Sequence, residues 1–194
     1  VTGVTGVADV NGVRWVRLFY LYPEKLDDAL VTLLAEHPQV LPYVDMPLQH
    51  ASDAMLRRMR RGHGGQRLRD LVTRLRTRIS ELTFRSAFIV GHPGETQADF
   101  DELCDFVSWA ELERVGVFRY SDEEGSHSAD LESKVDEMVA SDRYHQLMGL
   151  GRDIARRKNE ALIGQELDVL VEGQSDEHEH VQVGRHAGQA PEID

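Results

Sequence analysis

The residues best placed to do chemistry lie in one short run, Gly91-His92-Pro93-Gly94-Glu95-Thr96, between two apolar segments. Phe84 to Val90 is a short apolar stretch with β-formers, bounded by Gly91 and Pro93. That pattern predicts a strand buried on both faces. His92, Pro93 and Gly94 predict a turn, because glycine tolerates positive φ and proline presets φ. Thr96 with Asp99 three residues on is a capping-box pattern that opens a helix. Phe100, Leu103, Cys104, Val107 and Ala110 then share one apolar face at helical spacing. A glycine turn between strand and helix leaves backbone N–H groups free at the helix N-terminus, where an anion or polar ligand can be held. An ordinary strand-to-helix connection fits the same residues. Glu95 either accepts from a ligand or favours the helix dipole in its first turn.

Other candidates are weighed by where they fall. In parallel α/β architectures, ligands sit at the carboxyl ends of strands. Here those ends carry Tyr22, Gln49 with His50, the Gly91 to Glu95 loop, and Tyr120 with Ser121. Gln49 and His50 follow an apolar stretch and precede a helix cap at Ser52; they bond a ligand's hydroxyls or carboxylate, or they cap a loop. The arginines from Arg57 to Arg78 mostly alternate with an apolar helix face and predict a solvated surface, with a phosphate- or partner-binding patch left open. His178, Glu179 and His180 stand in a polar turn without a third placed ligand, which predicts a solvated hairpin rather than a metal site. Cys104 lies on an apolar helix face and reads as a buried thiol. No Ser-His-Asp arrangement, Walker loop or paired-cysteine zinc pattern is visible.

These groups need elements to position them. VTGVTGVADVNG, residues 1–13 with Val13, has no helical periodicity and predicts a disordered or irregular start. Strands are expected at Arg14–Leu21, Tyr43–Leu48, Phe84–Val90 and Arg114–Tyr120. Helices are expected around Leu26–Leu34, after Ser52, over Leu68–Ile79, and from Thr96. The alternation argues a parallel sheet with helices packed outside it. Asp122 to Ser133 reads as a long polar loop. Val135 to Leu162 is helical, with a kink or break expected at Gly149 and Gly151. From Gln165 two strand-like runs flank a polar turn, too little to bury a core alone. The 194 residues allow a sizeable core. With 22 basic and 34 acidic residues the formal charge is −12, which disfavours nonspecific nucleic-acid binding and suits a basic partner. One cysteine forbids an internal disulfide. No run approaches the roughly 18 apolar residues of a membrane span. The opening lacks the basic region of a signal peptide, so a cytoplasmic protein is expected.

Several segments together resemble the radical SAM methylthiotransferases, most closely the RimO type. They are RWVRLFYLYP at 14–23, YVDMPLQHAS at 43–52, MRRGHG at 59–64, FRSAFIVGHPGET at 84–96, RVGVFRYSDEEG at 114–125 and GRHAGQAPEID at 184–194. They run in family order over nearly the whole chain. The tRNA-modifying MiaB type shares the plan but reads differently at the first, second and last of these places, and stays as the alternative.

The resemblance implies a partial radical SAM (β/α) barrel of parallel strands over residues 14–163. The first strands of a small β-barrel TRAM domain would follow over 164–194. It implies methylthiolation of the β-carbon of an aspartate in a small-subunit ribosomal protein, the twelfth, a basic partner. Nucleic acid would be met only through the ribosome, and no membrane is involved. S-adenosylmethionine would supply the radical and the methyl group. The family's adenine-contacting motif falls on Ile89, Gly91, Gly94 and Glu95, with Ala87 in place of its leading glycine. Gln49 and Ser52 fall at ribose or methionine contacts, Arg85 near the methionine carboxylate, and Phe118 and Tyr120 beside the adenine. The family's four-iron cluster needs three closely spaced cysteine thiolates, and Cys104 is alone. The chain therefore reads as a truncated fragment, expected to be inactive by itself, of a RimO-like protein. A non-catalytic binding module is the reading of a different class.

Overall fold

The computed structural model describes residues 1–191. Its elements run in the order α1 (Thr2–Ala8), β1 (Val16–Leu18), α2 (Asp28–Glu36), β2 (Val40–Asp45), α3 (Asp53–Arg58), α4 (Gly65–Arg78), β3 (Thr83–Val90), α5 (Gln97–Ala110), β4 (Arg114–Arg119), α6 (Glu137–Glu160), β5 (Val169–Gln174) and β6 (Gln182–His186). A 3-10 turn at Pro23–Lys25 joins β1 to α2. The first four strands form one sheet in the order β1-β2-β3-β4, and every neighbouring pair is parallel. Parallel neighbours need crossover connections, and the amphipathic helices α2 to α5 supply them. The expected α/β partial barrel is therefore the fold.

The helices cover one face of the sheet. On β3, Phe84, Ser86, Phe88 and Val90 are buried, while Thr83, Arg85, Ala87 and Ile89 between them are half-buried. The sequence predicts burial on both faces; alternation wins because helices pack against one side only. Phe84, Phe88 and Val90 join Leu68 and Leu75 of α4 and Phe100, Leu103 and Phe106 of α5 in one core cluster. Each fully buried Phe or Leu contributes on the order of 2 kcal/mol of transfer free energy.

Four further differences from the sequence reading have physical causes. α1 is helical despite Gly3 and Gly6, because Ala8 is fully buried and Val4 packs on the core; tertiary contact overrides weak propensity. β1 is regular only over Val16–Leu18, and Tyr20 beyond it takes φ +56. β2 starts earlier than expected and stops at Asp45, after which the chain rejoins β3 through a lone bridge between Gln49 and Phe88. α6 is one continuous helix of 24 residues. Its Gly151 does not break it: an added Cβ there would lie 2.9 Å from Val115 Cβ, so the glycine admits close packing on β4.

β5 and β6 pair as an antiparallel hairpin. The turn after it docks on the open face of the sheet. Arg17 donates through Nη2 to the carbonyls of Ala187 and Gln189, both at 2.7 Å. Ala190 is buried beside Leu41, Tyr43 and Trp15. Part of the 184–194 segment, Glu192 to Asp194, lies outside the described residues.

Candidate functional site

The Gly91–Thr96 turn is shaped by its own backbone. Gly91 and Gly94 take φ +75 and +80, values that favour glycine over any residue with a Cβ. Glu95 N–H donates to His92 O at 2.9 Å and closes the turn. Thr96 and Asp99 form the expected reciprocal capping box at the start of α5.

Glu95 is held inside the protein by three partners. Its carboxylate is fully enclosed. Oε2 accepts from Gly91 N–H at 2.5 Å and from Arg143 Nη1 at 2.9 Å. Oε1 faces His50 Nε2 at 3.1 Å. His50 Nδ1 accepts from Ser52 N–H at 3.0 Å, so the ring proton sits on Nε2 and is donated to Glu95. Glu95 is thus neither a free ligand acceptor nor a dipole partner in solvent. It is an internal brace for the turn.

Ser52 is engaged in the same way. It occupies the N-cap of α3 but makes no side-chain cap bond. Its hydroxyl donates to Asp99 Oδ1 at 2.5 Å, tying α3 to the capping box of α5. Burial would push the Asp99 carboxyl up, but the bonds from Ser52 and Thr96 outweigh it and hold it below the usual range. Arg85 is also engaged. Nη1 meets Asp45 Oδ1 at 2.6 Å, and Asp45 Oδ2 accepts from the N–H of Tyr20 at 3.0 Å. A ligand carboxylate at Arg85 would have to share it with Asp45.

The remaining predicted residues gather on the open face and its upper rim. Ala87 lies opposite Gly116, and Ile89 opposite Phe118. A Cβ on Gly116 would lie 3.8 Å from the Phe118 ring and 3.9 Å from Ala87. Two small residues thus leave a shallow floor beside the pair formed by Ile89 and an exposed Phe118. Gln49, at φ +72, donates its N–H to Ala87 O and accepts from Ile89 N–H, each at 2.9 Å. A non-glycine residue held there is strained, and such strain concentrates at functional sites.

Beside Gly91 a cleft of about 440 Å³ opens between Arg119, Tyr120, Asp122, Lys134 and Glu137. Tyr120 follows β4 directly and donates its hydroxyl to Asp122 at 2.8 Å; partial desolvation and that carboxylate push the phenol up to about 12. Lys134 bridges Asp122 and the Ala129 carbonyl. His92 sits under this cleft, its ring edge-on to Tyr120 at 5.0 Å and its Nε2 2.9 Å from Ser128 Oγ. Burial lowers its pKa. A second cavity, about 530 Å³, lies at the amino ends of β3 and β4 around Thr83, Arg114 and His186. It is at the wrong end of the strands for a ligand held by the glycine turn.

Arg143, Asp45 and the second role of Asp99 were not foreseen. Arg143 carried a readable signal: it falls in the stripe Ala140, Arg143, Leu147, Gly151, Ile154, and an arginine on an apolar stripe needs a buried partner. The Arg57–Arg78 run is less solvated than expected. Arg74 donates to Leu26 O, Arg76 to the carbonyls of Ala110 and Glu111, and Arg69 lies over the Trp109 ring. Cys104 is half-buried, and burial with Asp101 and Asp105 pushes its thiol up to about 11. His178 and His180 are exposed, and no group of three metal-ligating side chains occurs among the described residues. No helix among them is long and apolar enough to cross a membrane.

Residues 12–107 match the family model of the radical SAM superfamily, and residues 163–194 match the TRAM domain. The protein is 71% identical over 191 residues to the ribosomal protein uS12 methylthiotransferase RimO of Sorangium cellulosum, covering 98% of this chain and 39% of that protein. It is 50% identical to the RimO of Anaeromyxobacter sp. (strain K), over 97% of this chain and 40% of that protein. With the RimO of Aquifex aeolicus it shares 43%, over 97% and 44%. The chain thus spans about two fifths of the length of these curated relatives. Among solved structures, coproporphyrinogen III oxidase (HemN) from Escherichia coli, a radical SAM enzyme, superposes with TM-score 0.59 at 14% identity, over 72% of this chain and 32% of that one. That likeness bears on the fold alone. With the glycine turn at the carboxyl end of β3, the family matches and the identity to RimO sequences taken together, this chain belongs to the radical SAM methylthiotransferases of the RimO type.

Proposed function

We propose that this chain is the S-adenosylmethionine-holding part of an enzyme that adds a methylthio group to the β-carbon of an aspartate in ribosomal protein uS12. The observation that carries the reading is the braced Gly91–Glu95 turn beside the Ala87–Gly116 floor, at the carboxyl end of a parallel sheet. A flat base would lie over that floor against the edge of the Phe118 ring, because no side chain rises from Gly116. Ile89, Gly91 and Gly94 would meet the adenine by backbone and apolar contact, with Phe118 and Tyr120 beside it. Gln49 would offer its amide to the ribose or methionine end. Arg85 would bring a charge already shared with Asp45, whereas Ser52 and Glu95 serve by shaping the site. When bound, S-adenosylmethionine supplies the methyl group and, in the family, the radical. The donor set for a four-iron cluster does not fit this chain, since one thiol cannot replace three. The boundaries at residues 14, 163 and 164, a cytoplasmic setting and the uS12 partner belong to the same proposal.

Calorimetry with S-adenosylhomocysteine tests the reading. Saturable one-site binding is expected, abolished by Gly91→Val. Binding that survives that substitution unchanged would place the ligand elsewhere and overturn the assignment.

A further inference from the structure

Helix α6 turns one charged residue toward the sheet. Its buried positions, Ala140, Arg143, Leu147, Gly151 and Ile154, form a single stripe at helical spacing. Arg143 is only 6% exposed. A charge so placed persists when it is paired and hydrogen-bonded. Its Nη1 donates both to Glu95 Oε2 at 2.9 Å and to the Glu95 carbonyl at 3.1 Å. The Phe100 ring lies 5.5 Å from its Cζ. Glu95 in turn holds Gly91 N–H and His50. α6 touches the turn at a second point, where Ala140 packs so closely that a Cβ on Gly91 would come within 2.6 Å of it. The same helix leads into the β5–β6 hairpin.

We infer that Arg143 is a positioning residue for cofactor binding: acting through Glu95, it holds the Gly91–Glu95 turn in its binding shape and ties cofactor affinity to the docking of α6. The inference rests on the reading of this turn as the S-adenosylmethionine site. Arg143 itself touches no ligand. Without it, Glu95 keeps His50 and the Gly91 amide but loses its only cationic partner among the described residues. The turn would then sample conformations in which the Gly91 amide faces solvent.

Two measurements on the 194-residue chain test this, amide hydrogen exchange and S-adenosylhomocysteine calorimetry. Arg143→Gln removes the charge, and Arg143→Lys keeps it while losing the two-acceptor geometry, so the second remains informative if the first does not fold. Arg156→Gln, on the exposed side of the same helix, is the control. In both Arg143 variants, exchange over residues 91–96 should rise relative to residues 40–45, and the dissociation constant should rise about tenfold in Arg143→Gln and less in Arg143→Lys. The control should change neither. Affinity within about twofold of wild type in both variants, or exchange rising evenly across the sheet, overturns the inference and leaves Arg143 a general stabiliser. No affinity in the wild type overturns the cofactor reading and the inference with it. Exchange then still reports whether Arg143 clamps the turn.

Discussion

At the scale of single residues, the two glycines of the turn differ in what surrounds them, and their substitution should differ accordingly. Both have positive φ, so alanine at either costs about 1 kcal/mol in backbone strain. A Cβ on Gly94 would meet the guanidinium of Arg58, the far end of a flexible side chain. A Cβ on Gly91 would meet Ala140 Cβ, close to the backbone of a packed helix. Gly94→Ala should therefore cost about 1–2 kcal/mol, and Gly91→Ala about 2–4 kcal/mol once overpacking is added. Urea denaturation of the two variants checks the order; equal losses would mean α6 yields easily at Ala140. The sequence disclosed this turn because glycine, proline and a capping box are local signals. It could not disclose that Glu95 faces inward, since that depends on His50 and Arg143, far away in the chain. A second consequence concerns pH. Burial is the first cause lowering the pKa of both His92 and His186 from 6.5. A lowered histidine pKa means the unfolded chain binds protons that the folded one refuses. Stability from these groups is full above about 6.5 and declines as pH falls through that value toward the folded pKa. The melting temperature should drop between about pH 7.5 and pH 5.5, and the drop should shrink in His92→Gln/His186→Gln. An undiminished drop would assign the effect to other groups.

At the scale of elements, α6 shows why periodicity succeeds and glycine counting fails. Its apolar stripe was legible, and its interruption at Gly149 and Gly151 was expected but does not occur. The two glycines have opposite surroundings. Nothing lies within 4 Å of a Cβ built on Gly149, while one on Gly151 would press into Val115 of β4. Gly149→Ala should stabilise the chain by about 0.5–1 kcal/mol through helix propensity. Gly151→Ala should destabilise it by about 1–3 kcal/mol by pushing the helix off the sheet. Thermal or urea unfolding of both variants decides; stabilisation by Gly151→Ala would mean the close approach to β4 is not required. β3 teaches the complementary lesson. Its apolar run was visible, but which side would be covered depends on where α4 and α5 return, and that is a tertiary fact. The helical state of Thr2–Ala8 was invisible for the same reason: the burial of Ala8 decides it, and two glycines conceal it.

At the scale of the whole molecule, charge is the property that bears on partners. The chain carries −12, yet its arginines are not spread evenly. Arg17, Arg74, Arg76 and Arg143 are consumed by internal carbonyls and carboxylates, which leaves much of the acidic surplus facing water. Asp122, Glu123 and Glu124 are exposed beside the cleft at the end of β4. Asp122 is partly neutralised by Lys134, which together with Tyr120 holds its carboxyl below the usual range; Glu123 and Glu124 have no cation paired to them in the described residues. A basic partner approaching the carboxyl end of the sheet would find exposed negative charge on this loop. Complementary charge of this kind speeds encounter and is screened over about 8–10 Å at ordinary ionic strength. The proposed uS12 partner should therefore bind more tightly at low salt than at high salt, and Glu123→Lys/Glu124→Lys should weaken binding and flatten that dependence without lowering the melting temperature, because neither side chain is buried. The same net charge should keep free tRNA bound poorly at every salt concentration. A pull-down of uS12 and of tRNA across a salt series separates the cases. Tighter capture of tRNA than of uS12 would turn the assignment toward the tRNA-modifying branch of the family, and a uS12 affinity indifferent to the double reversal would move the docking surface away from this loop.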